Sequence, residues 1–514
     1  MEGDARAQAI GVYPLVLALD HAGRAPGAIA HFPETILLSA TTEGLLPLER
    51  LARLDNFGHS LKSSAYLYSP GHVEQLNELV ELSKRTGSSI AMRGAGRSYG
   101  DAALNSGQIV LDLRGLNRVL EWDAQTGRIR VEPGVTIEQL WKHVLADGWW
   151  PPVVPGTMFP TLGGCLAANI HGKNNWQAGP LGEHVLEFEA ILISGKTIKC
   201  SPQDNAEMFY AMIGGMGLLG IFISITMQLK KIYSGDVEVK AWAEPTLAAM
   251  LDAVDANKEA DYIVGWTDCT AGGRGLGRGQ MHRARYLKTS EDDEPQRTLS
   301  IEHQELGDRL FGLVPKKMLP AVMKLAMNNP GVWATNSAKY LVNRTIGNHK
   351  TQRQSLVAFN FLLDYIPNWE RAYGRGGLIQ YQSFLPKDKA ADAYVEMLRL
   401  CKRRGLPSYL GVMKRHRPDK FLLSHAVDGY SLALDFRVTN GNRKHLVELD
   451  KDLDEIAIAA GGRFYFAKDS LITAENVRRS LGDKTIEKFR KLKTEVDPNN
   501  FLQSDLYRRC FGAQ

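Results

Sequence analysis

"GGMGLLGIFISITMQ", residues 214–228, holds a literal G-x-G-x-x-G at Gly215, Gly217 and Gly220, the spacing of a dinucleotide-binding turn. Such a turn works only where its glycines follow a strand and open a helix, so that a pyrophosphate rests on the helix N-terminus. The flanking residues predict the opposite order. Upstream, "NAEMFYAMI" (205–213) reads as a short helix, with Asn205 at its cap and Glu207 in its first turn. Downstream, "IFISITMQL" is rich in β-branched residues and reads as a strand. A helix–glycine–strand order offers no helix N-terminus to a phosphate. Glu238 lies roughly 20 positions on, but acids are too common for that to carry weight. These glycines belong to a fold other than the Rossmann type.

The rest of the chain narrows the field. Its 514 residues exceed one typical core and predict two or three domains. An apolar content of 44% with no dominant charged block predicts a globular, enzyme-sized protein. A net charge of +5 is too mild for a dedicated nucleic-acid binder. Cysteines stand apart at 165, 200, 269, 401 and 510, with no C-x-x-C and no metal-ligand spacing. No metal is expected, and a reducing, cytoplasmic compartment is. "MEGDARAQAI" does not resemble a signal peptide. The apolar run 212–227 is broken by glycines and too short for a bilayer. Residues 1–48 show no recognisable chemistry.

A second glycine loop lies in a more informative place. "SPGHVEQLNELVELSKRTG" predicts a helix capped by Ser69 and stopped by Gly87. "SIAMR" then predicts a strand running into "GAGRSYGD", and "IVLDL" a further strand. Glycines there let successive N–H groups turn inward as an anion-binding nest, with Arg93 or Arg97 adding charge. Taken alone, the segment suits an ordinary β-turn equally well. Further on, "RIRVEPGV" reads as a strand and "TIEQLWKHVLADG" as a helix between Thr136 and Gly148. "PGTMFPTLGGCLAANIHGKN" mixes glycines, small residues and hydroxyls, as where backbone approaches a ligand closely, and ends in His171, Lys173 and Asn174.

Read in order, "RGAGRSYGD", "PGVTIEQLW", "VPGT", "TLGGCLAANIHGKN", "GEHV" and "GGMGLLGI" resemble the FAD-binding domain of the vanillyl-alcohol-oxidase/p-cresol-methylhydroxylase (PCMH) superfamily. Within it, "WERAYG", "LIQYQ", "FYFAKDS" and "VDPNNFLQSDLYRR" resemble the decaprenylphosphoryl-β-D-ribose 2-oxidase family, so the likeness runs from about residue 48 to 509. The resemblance implies a two-domain α+β fold. An N-terminal extension covers 1–48, an FAD-binding domain 49–233 and a substrate domain on an antiparallel sheet 234–462. The segment 463–514 returns to the FAD domain. "GGMGLLGI" is then a turn packed against the flavin.

The same resemblance assigns residues. Arg93, Gly94, Ala95, Gly96, Arg97, Ser98, Gly156, Thr157, Gly163, Gly164, Ala168, Asn169, Gly172, Lys173, Asn174, Gly215, Gly220 and Ile221 would hold FAD. Arg97 stands where many members carry the histidine that tethers flavin, and Cys165 does not match the other attachment position, which implies non-covalent FAD. Lys468, His171 and Tyr99 would do the chemistry. A lysine in the aromatic strand of "GGRFYFAKDS" fits that role better than a solvated one. Gln380 and Gln382, on one face of a strand, would join Lys414, Ser431, Ala433 and Asp435 against the substrate; a surface basic cluster suits Lys414 almost as well.

The implied reaction oxidises the 2-hydroxyl of a polyprenylphosphoryl ribose to the 2-keto sugar. A separate NAD(P)H-dependent reductase would complete an epimerisation that serves cell-wall biosynthesis. Ala433 departs from the family, which carries a cysteine there, and Tyr430 and Ser431 replace a tryptophan and an asparagine. That leaves open a soluble sugar, polyol or aldonolactone as substrate. "LFGLVPKKMLPAVMKLAM" (310–327) is apolar and basic without acids, which suits either a peripheral contact with the inner face of a membrane or a loop against the core.

Overall fold

The computed structural model describes residues 45–307, 309–310, 314–316 and 319–512. The extension 1–48 lies almost wholly outside them, as does part of 310–327.

Two sheets form the N-terminal half. One has four strands in the order Leu51–Asp55, Lys62–Tyr68, Ile109–Asp112, Ile90–Arg93. The first pairing is antiparallel and the other two are parallel. The helix Glu74–Thr86 carries the chain across from Lys62–Tyr68 to the parallel strand Ile90–Arg93, one strand further along the sheet; it buries Leu76 and Val80 and ends on left-handed Gly87. Ser69 does not cap it. The N-cap is Val73, and Gln75 Oε1 instead accepts from the Gly71 and His72 amides at 2.8 and 3.3 Å.

The second sheet is antiparallel, ordered Val119–Asp123, Arg128–Val131, Ile221–Gln228, Val185–Ile191, Thr197–Cys200. Thr136 and Gln139 form a capping box on the helix Ile137–Val144. The helix Ala206–Met212 precedes the 214–220 glycines and the strand Ile221–Gln228 follows them, the order that excluded a Rossmann turn. Asn205 occupies the N-cap position, but its amide donates to Lys199 O (2.7 Å) rather than capping.

The C-terminal half is built on an antiparallel sheet of eight strands. Their order is Lys350–Ser355, Asp236–Glu244, Gly279–Tyr286, Tyr262–Thr267, Leu410–His416, Gly429–Arg437, Leu378–Pro386, Arg463–Phe464. The helices Leu247–Asp255, Lys387–Arg403 and Arg443–Ala459 pack on it through buried residues such as Met250, Met397 and Leu449. Strands buried on both faces read as near-continuous apolar runs. Hence the glutamines of "LIQYQSFLP" are conspicuous polar insertions.

The chain then crosses back. Phe501 O accepts from Ile90 N (2.7 Å), and Arg509 pairs with Asp101 and Asp469 at 2.7 and 3.2 Å. The strand at the crossover is shorter than expected and ends at Phe464, so Lys468 sits on a turn. Tyr465 O accepts from the amides of Lys468 and Asp469, and Ala467 O accepts from Tyr99 N at 2.9 Å, which leaves no ladder partner for a longer strand. Among the described residues no helix is long and apolar enough to cross a membrane.

Candidate active site

Glycine loops from the first half and one face of the large sheet enclose a cavity of about 740 Å³. The loop wall is mostly backbone and small side chains: Gly94 to Ser98, Pro155 to Thr157, Gly164, Cys165, Ala167 and Ala168. Gly94 packs so tightly that a Cβ there would run into Thr161 Oγ1, and Gly96 holds φ +64°. A Cβ at Gly156 or Gly164 would meet only Leu363 or Thr161. At those two positions a side chain would fill the ligand's space. Arg97 lies over the rings of Phe57 and Phe159, at 5.2 and 5.1 Å. Asp364 fastens this wall by accepting from Thr157 Oγ1 (2.6 Å) and Met158 N (2.8 Å). Burial raises its carboxyl to about 6.

The opposite wall is charged. Lys468, Lys414, Gln380, Gln382 and Ala433 line the cavity on this side, and His171 and Lys173 reach in from the loop wall. Lys468 Nζ lies 3.7 Å from the centroid of the Tyr99 ring. Burial lowers its ammonium to about 7, partly opposed by Asp435 and reinforced by Lys414. Asp435 is raised above the carboxylate range by burial. It accepts from Gln380 Nε2, and among the described residues Gln380 Oε1 has no partner. His171 meets Gln382 Nε2 through its Nε2 (3.3 Å) and Lys414 Nζ through its Nδ1 (3.4 Å), and a neutral ring accepts at only one of these two nitrogens. Burial, then Lys414, His416 and His425, hold its pKa well below 6.5, so the ring is neutral. Lys414 therefore belongs to the site rather than to a surface cluster.

Other residues expected at the site stand behind the wall, outside the cavity lining. Ser431 bonds Gln382 (3.2 Å) and His416 (2.8 Å), and Asp435 lies behind Gln380, whose amide donates to it. Arg93 donates to Asp55 O and Ala103 O. Gly163 packs on Pro133, Gly172 on Asn174. Asn169 accepts from Gly182 N, while Asn174 donates to Pro152 O. Gly215, Gly220 and Ile221 also stay back. A Cβ on Gly215 would strike Ala211 O and one on Gly220 the Met212 methyl, so these glycines close the turn on its own helix, and Met216 alone reaches the cavity. The expectation that "GGMGLLGI" packs on the flavin thus reduces to Met216.

The chemistry of this lining fits FAD: a long backbone-faced trough leading to basic side chains beside an unpartnered amide. A family model described as FAD binding domain matches residues 64–201. The chain is 30% identical to decaprenylphosphoryl-beta-D-ribose oxidase of Mycolicibacterium smegmatis, over 89% of this chain and 97% of that protein. It is 24% identical to L-gulonolactone oxidase of Bos taurus, over 38% of this chain and 44% of that one. Against cytokinin dehydrogenase 10 of Oryza sativa subsp. japonica the identity is 29%, over 34% of each chain.

Fold, site and likeness define a two-domain α+β flavoprotein of the PCMH type, an FAD-dependent oxidoreductase acting on CH–OH groups. Within that class the chain belongs to the decaprenylphosphoryl-β-D-ribose oxidase family.

Several cavity residues escaped the sequence reading: Trp266, Gln280, His282, Lys339, Leu363 and Trp369. Alternation in "GQMHRARY" placed Gln280 and His282 on one strand face, a signal that was there to use. Nothing in the sequence marked Lys339.

Proposed function

We propose that the protein oxidises the 2-hydroxyl of a polyprenylphosphoryl-β-D-ribose to the 2-keto sugar, with FAD held non-covalently. The observation that carries this reading is the convergence of Lys468, Tyr99, His171, Gln380 and Gln382 on one cavity. When bound, FAD supplies the hydride acceptor. The chain supplies the rest. Lys468, neutral above about pH 7, takes the hydroxyl proton. Gln380 Oε1 and the Gln382 amide hold the sugar hydroxyls. Asp435, behind Gln380, steadies the ammonium that forms. Neutral His171 fixes Gln382 and Lys414 relative to each other. Non-covalent attachment is supported by Arg97 in the tethering position and by Cys165, whose thiol burial pushes far above its usual pKa.

A lipid-linked substrate is supported by the cavity's apolar arm, which includes Met323, Met327, Val332, Leu363 and Ile366. Around it Leu325, Trp333, Leu341, Val342, Ile346 and Leu362 are exposed. The segment 309–363 carries eight Lys or Arg and no Asp or Glu. A peripheral contact with an anionic membrane face suits that pattern. A separate NAD(P)H-dependent reductase would act on the 2-keto product.

The test is the visible spectrum under anaerobic conditions, before and after a short-chain polyprenylphosphoryl ribose is added. Bleaching is expected. Flavin that stays oxidised with this compound and bleaches with an aldonolactone or free polyol would replace the reading with oxidation of a soluble substrate.

A further inference from the structure

Lys468 stands on a turn and Tyr99 on a glycine loop far away in sequence, and three contacts fix the distance between them. Tyr99 N donates to Ala467 O at 2.9 Å. Gly100 lies so close to Asp469 that a Cβ there would run into its carbonyl oxygen. The third contact is Arg509, on the short helix Asp505–Cys510. Its Nε and Nη2 donate to the two carboxylate oxygens of Asp101 at 2.9 and 2.7 Å. Its Nη1 donates to Asp469 Oδ1 (3.2 Å) and Ile472 O (2.6 Å), and Nη2 also reaches Asp469 O (3.4 Å). Every N–H of the guanidinium is thereby engaged. One end of the fork holds the residue two beyond Tyr99, the other the residue after Lys468.

The helix that carries Arg509 is itself seated on the Tyr99 loop. Asp505 N donates to Leu104 O (2.9 Å), and the Asp505 carboxylate accepts from Ser106 N and Oγ at 3.0 and 2.8 Å. Arg508 Nη1 donates to Asn105 Oδ1 at 2.9 Å. Arg509 stands outside the cavity lining, so it touches neither cofactor nor substrate space. Neutralising charge is part of its task. Asp101 and Asp469 are buried, and so are Asp450 and Asp454 on the helix Arg443–Ala459. Burial first, then the charge of Asp469, raises the carboxyls of Asp450 and Asp454, the latter to about 8. Among the described residues no other basic side chain pairs with any of the four. A point charge would neutralise these acids as well. Only a planar fork bonded at both ends also sets how far apart the loop and the turn lie.

We propose that Arg509 is a positioning residue for the oxidation: by clamping Asp101 to Asp469 it sets where Lys468 Nζ stands relative to Tyr99 and to the hydroxyl it deprotonates. Nζ lies 3.7 Å from the centroid of the Tyr99 ring. A misplacement of about 1 Å at a reacting pair costs up to about 10²-fold in rate. The inference rests on Lys468 as the proton acceptor of the proposed reaction.

The experiment compares the FAD-loaded full chain with its Arg509→Met, Arg509→Lys and Asp101→Asn variants, using a short-chain polyprenylphosphoryl ribose as substrate. Arg509→Met should lose both stability and turnover. Arg509→Lys keeps a charge among the acids and loses the fork. Its Tm should return towards the wild-type value while kcat stays about tenfold or more below it, with KM and bound flavin unchanged. Asp101→Asn removes one end of the fork at little change in volume and should lower kcat with the same unchanged KM. Recovery of kcat together with Tm in Arg509→Lys, or a wild-type kcat in Asp101→Asn, makes Arg509 a structural counter-ion and overturns the proposal. A rise in KM or a loss of flavin that accounts for the whole effect overturns it too. If the wild type does not turn over this substrate, the proposed reaction fails instead, and chemical labelling decides the clamp alone. Limiting acetic anhydride, read by mass spectrometry across pH, reports the reactivity of Lys468 against Lys173 and Lys414 in the same cavity. A change confined to Lys468 in Arg509→Lys supports the clamp. An unchanged Lys468, or an equal change at all three lysines, sinks it.

Discussion

The two walls of the cavity are made by different means. The loop wall presents backbone and small side chains from three nearby stretches, 94–98, 155–157 and 164–168. The sheet wall presents long polar and basic side chains from strands and turns scattered between residues 264 and 468. Backbone recognises what every FAD has in common, and its demand for glycine leaves a mark in the sequence. Side chains discriminate substrates, and each can change without disturbing the fold.

That difference orders the expected effects of substitution. Removing Lys468 should cost most. Lys468→Met loses the proton acceptor and keeps the flavin, so kcat falls by about 10²–10⁴ with an unchanged absorbance ratio. A colourless Lys468→Met protein would break the division of labour between the walls. Gly94→Val should do the reverse. Its side chain must enter the space of Thr161, so bound flavin per chain falls by about tenfold or more, on the order of 1.4 kcal/mol of affinity, measured by absorbance after gel filtration. The flavin that remains should turn over at close to the normal rate.

The same contrast governs what the sequence makes legible. Glycine spacing and the helix-before, strand-after order around 214–220 excluded the Rossmann fold, and the motifs placed the loop wall within a few residues. The capping box at Thr136 and the left-handed stops at Gly87 and Gly148 were readable because they are local. Ser69 and Asn205 failed as caps for an equally physical reason: other local acceptors and donors engaged the backbone first. The sheet wall was legible only where alternation survived, at Gln380 and Gln382. Lys339 comes from a helix with no tell-tale pattern, and its place over Trp266 exists only once the chain has folded. Glycines 215 and 220 show the converse hazard. A ligand-like motif can be a packing requirement.

Smaller effects sharpen the comparison. Lys468 is lowered to about 7, so its neutral form dominates above that pH and turnover should fall by about tenfold per unit below it. Asp435 opposes the lowering. Asp435→Asn removes that support, and the acid limb of the kcat profile should move to lower pH. A limb that stays in place would mean that another group titrates.

The smallest effect concerns stability. Burial lowers Lys414 from 10.5 to about 8. A lysine depressed in the folded state binds fewer protons there than in the unfolded chain, so it destabilises the fold. The penalty is complete below about pH 8 and fades as pH rises towards 10.5. Lys414→Met should therefore raise the Tm of the flavin-free protein, on the order of 2 °C at pH 7, with the gain shrinking by pH 10. On the loop wall Arg97→Met should show no such pH-dependent gain, because its guanidinium already lies against the Phe57 and Phe159 rings. If both variants gained equally at every pH, the difference between the walls would be one of shape alone. If only Lys414→Met gains, and its turnover falls, the substrate wall holds its charges at a cost to the stability of the fold.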